Sequence, residues 1–413
     1  MTSATFGAVD RYLRAQGSLA LVLPDGASLG PPDADAHLVV RSPRALRRIV
    51  AAPGELGFAR AYAAGELDLE GDIYAALAAL ERLRSAPNLV RHWLSAARAV
   101  GLRGLRPLPP PPEEARLRGL RHTRARDAAA ISHHYDVSNV FYRLVLGSSL
   151  TYSCAVFADP AGTLEEAQAA KHELVCEKLA LREGTRLLDV GCGWGSLLLH
   201  AAERYGADGV GVTISARQAE LARERVAEAG LADRIEIRLA DYRDVRDGPF
   251  GAISSIGMFE HVGLSRLRVY FERLYALLHP RGRLLNHGIA RPAGQRRTFG
   301  RRSFIDRYVF PDGELHEVGA VVSAIQDAGF EVRHVENLRE HYALTLRAWV
   351  RNLEARWDEA VAEVGSARAR IWRLFMAGSA LGFEVGRLQV HQVLALRPDE
   401  GASGMPLVPG TWR

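Results

Sequence analysis

A glycine-rich turn near the middle of the chain has the residue types that a small cofactor requires. Residues 185–195 begin with an apolar run that ends at Val190 and predicts a buried parallel strand. Gly191, Gly193 and Gly195 follow at alternate positions, and a helix is predicted to begin directly after them. Glycine has no side chain, so the backbone of such a turn can approach a ligand closely. The strand, the turn and the helix together predict a site for a nucleotide-type cofactor.

Polar residues at the ends of the predicted strands narrow the choice of cofactor. The fingerprint for NAD is Gly-x-Gly-x-x-Gly, and here the third glycine comes one residue early. Asp189 lies two residues before the turn, and Asp241 and Tyr242 follow the third predicted strand. The Asp241 carboxylate can accept a hydrogen bond from an adenine amino group while the Tyr242 ring packs on the base. The set resembles the S-adenosylmethionine site of a class I methyltransferase, although a glycine turn can also serve only to pack a helix on a strand.

The elements that must position these residues alternate between strands and helices from residue 127 onward. Helices are predicted between the strands, for example over 216–229 and 265–278. Such alternation predicts a parallel, doubly wound α/β sheet with its ligand beyond the carboxyl ends of the strands. Seven strands are predicted, over residues 185–190, 209–213, 235–239, 251–256, 283–287, 330–334 and 388–396. Residues 127–413 therefore form the predicted catalytic domain.

The residues before this alternation predict a smaller domain and a linker. Residues 1–100 mix strand-like segments with helices predicted to begin near Ser42 and Asp72, and indicate a small α+β accessory domain for lipid binding or dimerisation. Residues 101–126 contain a proline run and indicate a semi-rigid linker. The arginines of this linker form either a solvated tether or a contact with anionic lipid headgroups. They are Arg103, Arg106, Arg116, Arg118, Arg121, Arg124 and Arg126.

The composition limits the class of protein. A length of 413 residues favours two domains, and 48% apolar with 24% charged residues is typical of globular proteins. No apolar run reaches the roughly 18 residues of a membrane span, and the start of the chain lacks a signal-peptide pattern. Cys154, Cys176 and Cys192 are too few and too scattered for disulfides or a zinc site, so no metal is predicted. The net charge of +5 suits an anionic partner such as a membrane surface, and a cytoplasmic location is predicted.

Further motifs follow one another in a specific order around the glycine turn. They are His-Tyr-Asp-Val-Ser-Asn at 134–139, Leu-Thr-Tyr-Ser-Cys-Ala-Val-Phe at 150–157, Ser-Ile-Gly-Met-Phe-Glu-His-Val-Gly at 255–263, Asn-His-Gly-Ile-Ala at 286–290, Phe-Ile-Asp-Arg-Tyr-Val-Phe-Pro at 304–311 and His-Tyr-Ala-Leu-Thr-Leu-Arg-Ala-Trp at 341–349. The series resembles the cyclopropane-fatty-acyl-phospholipid synthase family, which includes the mycolic acid cyclopropane synthases, from about residue 127 to 397. The N-terminal domain is more loosely similar to the accessory domain of the bacterial phospholipid enzymes.

The resemblance implies a reaction on lipid. In this family the cis double bond of a phospholipid acyl chain attacks the methyl group of S-adenosylmethionine. A bound bicarbonate ion then removes a proton from the added methyl group, and a cyclopropane ring closes. Carried over motif by motif, the reaction site comprises Cys154, Glu260, His287 and Tyr342, with backbone groups of Ile256, Gly257 and Ile289. Bicarbonate has donor and acceptor atoms, so a carboxylate, an imidazole, a phenol and backbone amides can fix it in one orientation.

The resemblance also implies the contacts to S-adenosylmethionine. Many class I methyltransferases end the second strand with an acid for the ribose hydroxyls, but this chain has Thr213 and Ser215 there. Members of the family have a threonine and a glutamine in this place, so Thr213 and Gln218 are the implied ribose or methionine contacts. The complete predicted cofactor site is Tyr152, Ser153, Asp189, Gly191, Gly193, Gly195, Thr213, Gln218, Asp241 and Tyr242.

Each reaction-site candidate also has a structural interpretation. Cys154 alone is typical of a small buried filler, Glu260 and His261 could cap a helix, and His287 could be a satisfied core histidine. Tyr342, with a leucine and a tryptophan at helical spacing, could pack a core. The order of the motifs favours the functional interpretation, because these residues follow strand ends on the side where ligands bind.

The remaining alternatives concern the product and the partners. Loss of a proton from a neighbouring chain carbon would give a methylene lipid, which a partner reductase could convert to a methyl branch. An inactive lipid-binding protein is the alternative of another class. A nucleic-acid methyltransferase is disfavoured, because the Asn/Asp-Pro-Pro-Tyr type of base-flipping motif is absent. The predicted partner is the phospholipid surface at the inner face of the membrane, and whether the chain forms a homodimer is open. Lipid phosphate or solvent is the expected partner of a basic cluster, Arg296, Arg297, Arg301 and Arg302.

Overall fold

Contacts along the chain define two units. The computed structural model describes residues 3–84, 108–115, 123, 126, 137–294, 303–408, 410 and 412. The first unit comprises Met1–Arg116, Arg301–Val309 and Arg356–Leu381, and the second comprises Leu117–Gly300, Phe310–Ala355 and Gly382–Arg413. The predicted division at residues 100 and 126 stays a prediction, and the contacts assign two later segments to the first unit.

Helices and strands make up most of the described chain. The elements up to residue 84 are α1 (Ser3–Gln16), β1 (Leu19–Val22), β2 (Ser28–Leu29), β3 (Ala36–Val40), α2 (Arg44–Ala51), α3 (Glu55–Ala63), β4 (Leu67–Gly71) and α4 (Ile73–Arg84). Those from residue 139 to 256 are α5 (Asn139–Leu146), α6 (Leu164–Lys178), β5 (Arg186–Val190), α7 (Ser196–Tyr205), β6 (Asp208–Thr213), α8 (Ala216–Glu228), β7 (Ile235–Leu239) and β8 (Phe250–Ile256). The remainder are α9 (Phe259–Val262), α10 (Leu267–Leu277), β9 (Leu278–Ala290), α11 (Phe304–Tyr308), α12 (Val318–Asp327), β10 (Glu331–Asn337), α13 (Arg339–Ala355), α14 (Trp357–Val364), α15 (Ser366–Glu384) and β11 (Gln389–Leu396). Among the described residues, no helix has both the length and the hydropathy that a bilayer crossing requires.

The first unit contains a four-stranded sheet in the order β2-β1-β3-β4. Strands β1 and β3 are parallel and the other neighbours are antiparallel, which fits the predicted α+β class. Helix α4 begins where the sequence predicts, because the Asp72 carboxylate accepts hydrogen bonds from the amides of Tyr74 and Ala75. Helix α2 begins at Arg44, whose amide donates to the hydroxyl of the predicted cap Ser42 at 3.2 Å.

The described part of the predicted linker is anchored on the first unit. Arg60 forms an ion pair with the buried carboxylate of Glu114 at 2.8 Å. The amide of Ala115 donates to the backbone oxygen of Arg307 at 2.7 Å, which ties in one of the later segments. This stretch is therefore held by polar contacts, whereas the sequence predicts a semi-rigid spacer. All the arginines of the predicted linker except Arg126 lie outside the described residues.

The second unit is built on a seven-stranded sheet in the order β10-β11-β9-β8-β5-β6-β7. Strands β9, β8, β5, β6 and β7 run parallel, and an α-helix lies in every connection between them except that from β7 to β8, so the predicted doubly wound α/β fold is confirmed. The prediction of a parallel sheet is wrong at one strand, because β11 runs antiparallel to both β9 and β10. Strand β11 enters the sheet after three helices, and a connection of that length can deliver a strand in either direction.

Apolar side chains cover both faces of this sheet. Helices α10 and α12 supply one core cluster, and helices α6, α7 and α8 supply the other. Helix α7 lies so close to β6 that a Cβ at Gly211 would be 2.7 Å from a methyl carbon of Leu198 and 2.8 Å from the sulfur of Cys192. Glycine in the strand thus lets the helix and the glycine turn pack directly on the backbone.

Gly211→Ala is expected to destabilise the second unit by about 1–3 kcal/mol, because the added methyl group must displace Leu198 and Cys192. Gly319→Ala is the matched control: Gly319 lies in α12 with no heavy atom within 4 Å of its Cβ position, and alanine favours the helix. Thermal unfolding of the full chain checks both variants. An unfolding midpoint of Gly211→Ala equal to that of the parent would contradict the close approach of α7 to β6.

Candidate active site

A cavity in the second unit lies at the carboxyl ends of the central parallel strands. The strand order reverses between β5 and β8, and open α/β sheets bind ligands at such a point. Of the residues predicted from the sequence, the cavity is lined by Tyr152, Ser153, Asp189, Gly191, Gly193, Thr213, Gln218, Asp241, Tyr242, Ile256 and Gly257. The structure therefore brings together all the predicted cofactor residues except Gly195.

The glycine turn after β5 has a backbone that other residues rarely adopt. Gly191, Gly193 and Gly195 have φ angles of 80°, 55° and 79°. A side chain at Gly191 would in addition overlap that of Met258. Gly195 is the N-cap of α7, and its left-handed backbone starts that helix. The structure thus places Gly195 in the turn but outside the cavity wall.

Asp189 is the last residue but one of β5, and its carboxylate is buried at the cavity wall. The Ser254 hydroxyl donates a hydrogen bond to Asp189 Oδ1 at 2.6 Å and so fixes the direction of the carboxylate. Burial raises the pKa of Asp189 to about 6, although the bond from Ser254 and the positive charge of Lys171 oppose the shift. A carboxylate held in this way is suited to receive an ammonium group of a ligand.

Lys171 on α6 is a cavity residue that the sequence reasoning missed. The side chain is buried, and its ammonium group donates to the Ser153 hydroxyl at 3.1 Å. Burial lowers the pKa of Lys171 to about 8, while the negative charge of Asp189 opposes this shift. The composition of the chain could have pointed to this residue, because lysine is rare in it. Of the 53 lysine and arginine residues in the chain, only Lys171 and Lys178 are lysines.

Two side-chain pairs stand at the ends of β6 and β7. The Thr213 hydroxyl donates to the Gln218 side-chain oxygen at 2.8 Å, so the two implied ribose or methionine contacts are bonded to each other. The Asp241 carboxylate accepts from the guanidinium of Arg243 at 2.7 Å. The same guanidinium lies 5.6 Å from the centroid of the Tyr242 ring. Arg243, which the sequence reasoning missed, therefore sets the direction of the carboxylate that is predicted to meet adenine.

Two histidines that line the cavity are uncharged imidazoles. Burial lowers the pKa of His261 to about 4 and lowers that of His172 well below its ordinary value. His172 Nε2 lies 3.4 Å from the hydroxyl of Thr151 in the loop before α6. Neutral histidines add polar atoms to the wall without adding positive charge beside Lys171.

The loop that carries Cys154 is held against the start of α13. The amide of Ala155 donates to the Thr345 hydroxyl at 3.0 Å. The Cys154 thiol donates to the backbone oxygen of Leu338 at 3.6 Å, and the amide of Tyr342 donates to the same oxygen at 3.1 Å. Leu338 therefore brings Cys154 and Tyr342 together. Burial raises the pKa of the thiol far above its ordinary value, so Cys154 is a neutral polar group rather than a nucleophile.

An aromatic cluster connects Tyr342 to the cavity. The Tyr342 ring lies 4.8 Å from the ring of Phe383 and 6.0 Å from that of Trp349, between centroids. The Trp349 ring in turn lies 5.2 Å from that of Tyr152, which lines the cavity. Such a continuous set of ring faces can stabilise a positive charge that forms nearby.

Glu260 lies on the short helix α9, between the cavity residues Met258 and His261 in the chain. Its Oε1 accepts a hydrogen bond from the amide of Ile289 at 2.7 Å. Its Oε2 is buried and has no hydrogen-bond partner among the described residues. Burial raises the pKa of Glu260 to about 7, although the bond from Ile289 opposes the shift. This carboxyl group can therefore exchange a proton near neutral pH.

His287 lies on β9 directly opposite Ile256 of β8. Its backbone oxygen accepts a hydrogen bond from the amide of Gly257 at 2.8 Å, and its Nδ1 lies 3.2 Å from the side-chain nitrogen of Gln392. Its Nε2 is buried and has no partner in the part of the chain that the structure describes. Burial lowers the pKa of His287 to about 3, and the two lysines of α6 add to the effect. The ring is therefore neutral.

The predicted reaction residues thus form two groups, and only part of them lines the cavity. One group lies at the carboxyl ends of β8 and β9 and consists of Ile256, Gly257, Glu260, His287 and Ile289. The other, around Leu338, consists of Cys154 and Tyr342. The positive charge of Lys171 acts on both groups, since it lowers the pKa of Cys154 and of His287. The predicted basic cluster at 296–302 and residues 134–136 lie outside the described residues.

The backbone amides of the first group are already engaged. That of Gly257 is bonded to the His287 oxygen, and that of Ile289 is bonded to Glu260. The resemblance to the family implies that these backbone groups contact the bound bicarbonate ion. In this structure the Gly257 amide joins the ends of β8 and β9, and the Ile289 amide fixes the Glu260 side chain, so Glu260 Oε2 and His287 Nε2 are the atoms left without a partner among the described residues.

The chain is similar in sequence to several known proteins. Residues 122–393 match the sequence profile of a family described as mycolic acid cyclopropane synthetase. A probable fatty acid methyltransferase of Mycobacterium tuberculosis is 47% identical over 397 residues, which cover 93% of this chain and 92% of the relative. A tuberculostearic acid methyltransferase of the same species is 34% identical over 415 residues, which cover 96% and 92% of the two chains.

A solved structure gives the same result. A mycolic acid cyclopropane synthase complexed with S-adenosylhomocysteine (SAH) and CTAB is 34% identical, with a TM-score of 0.61. The match covers 65% of this chain and 98% of that one, and it confirms the predicted class I methyltransferase fold. The chain belongs to the mycolic acid cyclopropane synthetase family, as the order of its motifs predicts.

Proposed function

We propose that the protein transfers the methyl carbon of S-adenosylmethionine to the cis double bond of a phospholipid acyl chain and closes a cyclopropane ring, with bicarbonate as the bound base. The observation that carries the proposal is a pair of buried atoms, Glu260 Oε2 and His287 Nε2, that have no partner among the described residues. Buried polar atoms in native proteins are nearly always hydrogen-bonded, so such a pair indicates a polar ligand. Membership of the family supports a lipid acyl chain as the substrate.

The cavity has the chemistry that S-adenosylmethionine needs. The Asp189 carboxylate and the Lys171 ammonium group offer opposite charges for the amino and carboxyl groups of the cofactor. Asp241 and Tyr242 offer an acceptor and a ring face to adenine. S-adenosylmethionine, when bound, supplies an electrophilic methyl group. The solved relative that holds SAH supports this ligand.

The buried residues at the ends of β8 and β9 fit bicarbonate. This ion, when bound, supplies a base for the proton of the added methyl group. Glu260, whose pKa is about 7, presents an acceptor oxygen when ionised, and His287 is neutral and can donate from one ring nitrogen. A ligand with one donor and several acceptors satisfies both. Cys154, with its neutral thiol, and Tyr342 complete the polar and aromatic surroundings.

A methylene lipid is the second candidate product. It requires the same cofactor and the same base, with the proton taken from a neighbouring chain carbon, and a partner reductase would then complete a methyl branch. The relative named as a tuberculostearic acid methyltransferase supports this candidate. An inactive lipid-binding protein is disfavoured, because a buried carboxyl group and imidazole without partners cost stability and need a ligand to offset that cost.

We further propose that the protein works as a peripheral enzyme on the inner face of the cytoplasmic membrane. The net charge of +5 favours an anionic surface, and a phospholipid substrate requires access to one. We propose separately that the protein forms a homodimer. No step of the proposed chemistry depends on this.

Incubation of the full chain with vesicles of a cis-unsaturated phospholipid, S-adenosylmethionine and bicarbonate tests the product. Release of SAH and cyclopropane proton signals from the extracted lipid are the expected results. The two candidate products have equal mass, so proton NMR rather than mass alone must distinguish them. Vinylidene protons without cyclopropane signals would favour the second candidate, and absence of SAH release would sink the methyltransferase proposal for this substrate.

Lys171→Met is expected to weaken SAH binding on the order of 10- to 100-fold, because the carboxylate of the ligand loses its buried counter-ion. The affinity for 5′-methylthioadenosine, which lacks the amino acid group, should not change. Isothermal titration of both ligands against the parent and the variant checks this. An equal loss for the two ligands would show that Lys171 supports the cavity in general rather than the carboxylate.

Glu260→Gln is expected to lower turnover by about 100-fold or more, while SAH affinity is kept because Glu260 does not line the cavity. Its effect on stability has a defined sign. Burial raises the folded-state pKa of Glu260 from 4.5 to about 7, so the stability contributed by this group falls as the pH rises between these values. The variant should therefore unfold at the same or a higher temperature than the parent at pH 8.

Glu220→Gln, an exposed substitution on α8, is the matched control and should change neither turnover nor stability. Turnover of Glu260→Gln within a few-fold of the parent would refute the base site. A lower unfolding temperature for that variant at pH 8 would instead indicate a structural role for Glu260.

A further inference from the structure

Three polar residues face one another across neighbouring strands of the second unit. Glu336 of β10 is directly opposite Gln392 of β11, and Gln392 is directly opposite His287 of β9. Directly opposed residues share a face of the sheet, so the three side chains form a row. Lys178, the last residue of α6, reaches this row from above the sheet. Its ammonium group donates to the Gln392 side-chain oxygen at 2.7 Å and pairs with the Glu336 carboxylate.

The hydrogen bonds of this row determine which ring nitrogen of His287 carries the proton of the neutral imidazole. An ammonium group can only donate hydrogen bonds, so the atom of Gln392 that faces Lys178 must be its carbonyl oxygen. The NH₂ group of Gln392 therefore faces His287 Nδ1, at 3.2 Å. An amide NH₂ group is also only a donor, so Nδ1 must be the acceptor and carry no proton. A neutral imidazole with a bare Nδ1 carries its proton on Nε2.

We propose that Lys178 and Gln392 are positioning residues that hold His287 as its Nε2–H tautomer, so that the imidazole donates a hydrogen bond to the bound anion and does not itself take the proton from the substrate. The inference rests on the proposed function for the identity of the anion. The tautomer itself follows from the hydrogen bonds alone. With this tautomer His287 acts as a hydrogen-bond donor to the anion and not as a general base.

The charges around His287 support the neutral form. Lys171 and Lys178 approach from α6, His391 is the neighbour of Gln392 on β11, and Glu336 lies beyond Gln392 on β10. The two ammonium groups oppose a second proton on the ring, and Glu336 pairs with Lys178 rather than with His287. His287 therefore stays a donor through one nitrogen over the range in which Glu260 titrates.

The choice of lysine at residue 178 is itself informative. The chain uses arginine for its other cations, and its only lysines are Lys171 and Lys178. They lie seven residues apart, about two helical turns, so both are on one face of α6 and both are buried. An ammonium group is a compact point charge with three donors, whereas the larger planar guanidinium spreads five donors over a rigid fork that would have to fit the same buried space. If residue 178 only filled space, its position would not require lysine rather than arginine.

Nitrogen-15 NMR of the full chain labelled at histidine measures the tautomer directly. A His287→Gln sample identifies the signals of this ring by their loss. The expected result for the parent protein is a proton on Nε2 and a bare, pyridine-like Nδ1. A proton on Nδ1 in the parent would overturn the proposal, whatever the variants do.

Gln392→Glu reverses the donor that faces the ring. The new carboxylate can accept from Lys178 and from Nδ1–H, so the proton is expected to move to Nδ1 or the ring to become doubly protonated. Turnover should fall on the order of 100-fold with the KM for S-adenosylmethionine unchanged. Lys178→Met, which frees the Gln392 amide to rotate, should give a mixture of both tautomers. Unchanged Nε2–H signals in either folded variant would overturn the proposal.

Gln389→Glu, the same substitution on the same strand but three residues away, is the matched control and should leave both the tautomer and the turnover as in the parent.

The outcomes also separate this inference from the proposed function. An Nε2–H tautomer in a protein whose turnover does not respond to added bicarbonate would support the positioning role and reject bicarbonate as the anion. An Nδ1–H tautomer with bicarbonate-dependent turnover would reject only the positioning role.

Discussion

Two ammonium groups buried on one face of α6 set the electrostatics of the second unit. Isolated charges in a protein interior are costly, so their surroundings must supply compensation. Lys178 has this compensation within the chain, from Glu336 and Gln392. Lys171 donates to one hydroxyl group and is otherwise acted on by Asp189 through space. The interior at Lys171 therefore favours an incoming anion. Burial lowers the pKa of His287, and the charge of Lys171 adds to that effect, so the ring stays neutral.

The predicted residues at the ends of β8 and β9 differ in whether they line the cavity. Ile256 and Gly257 line the cavity, whereas their neighbour across the strands, His287, does not. Glu260 also does not line the cavity, although it lies in the chain between the cavity residues Met258 and His261. In the proposed reaction the methyl donor occupies the cavity, and the residues proposed to hold the base, Glu260 and His287, are neighbours in chain or sheet of residues that line it.

Local patterns in the sequence predicted most of the sheet and the cavity. The strand Ile235–Leu239 has the predicted bounds, and the predicted glycine turn is present, with positive φ angles at its three glycines, because both depend on short-range sterics. The direction of β11 depends on where three preceding helices end, which no local pattern specifies. Lys178 and Gln392 lie 214 residues apart, and a buried lysine looks like a surface lysine in any local window. Only the scarcity of lysine could have pointed to Lys171 and Lys178 before the fold was known.

The two unpartnered atoms together restrict the anion more than either does alone. In the proposed site His287 can only donate, since its tautomer is held by Gln392. Glu260 can only accept once it is ionised, which its pKa of about 7 allows at mildly alkaline pH. A ligand between them must therefore offer an acceptor to one side and a donor to the other. Halide ions and a fully ionised carbonate have no donor, whereas bicarbonate has one hydroxyl group and two further oxygens. The proposed bicarbonate ion, which the resemblance to the family implies, meets this requirement, and the requirement depends on how two side chains are held and on a lysine at the end of α6.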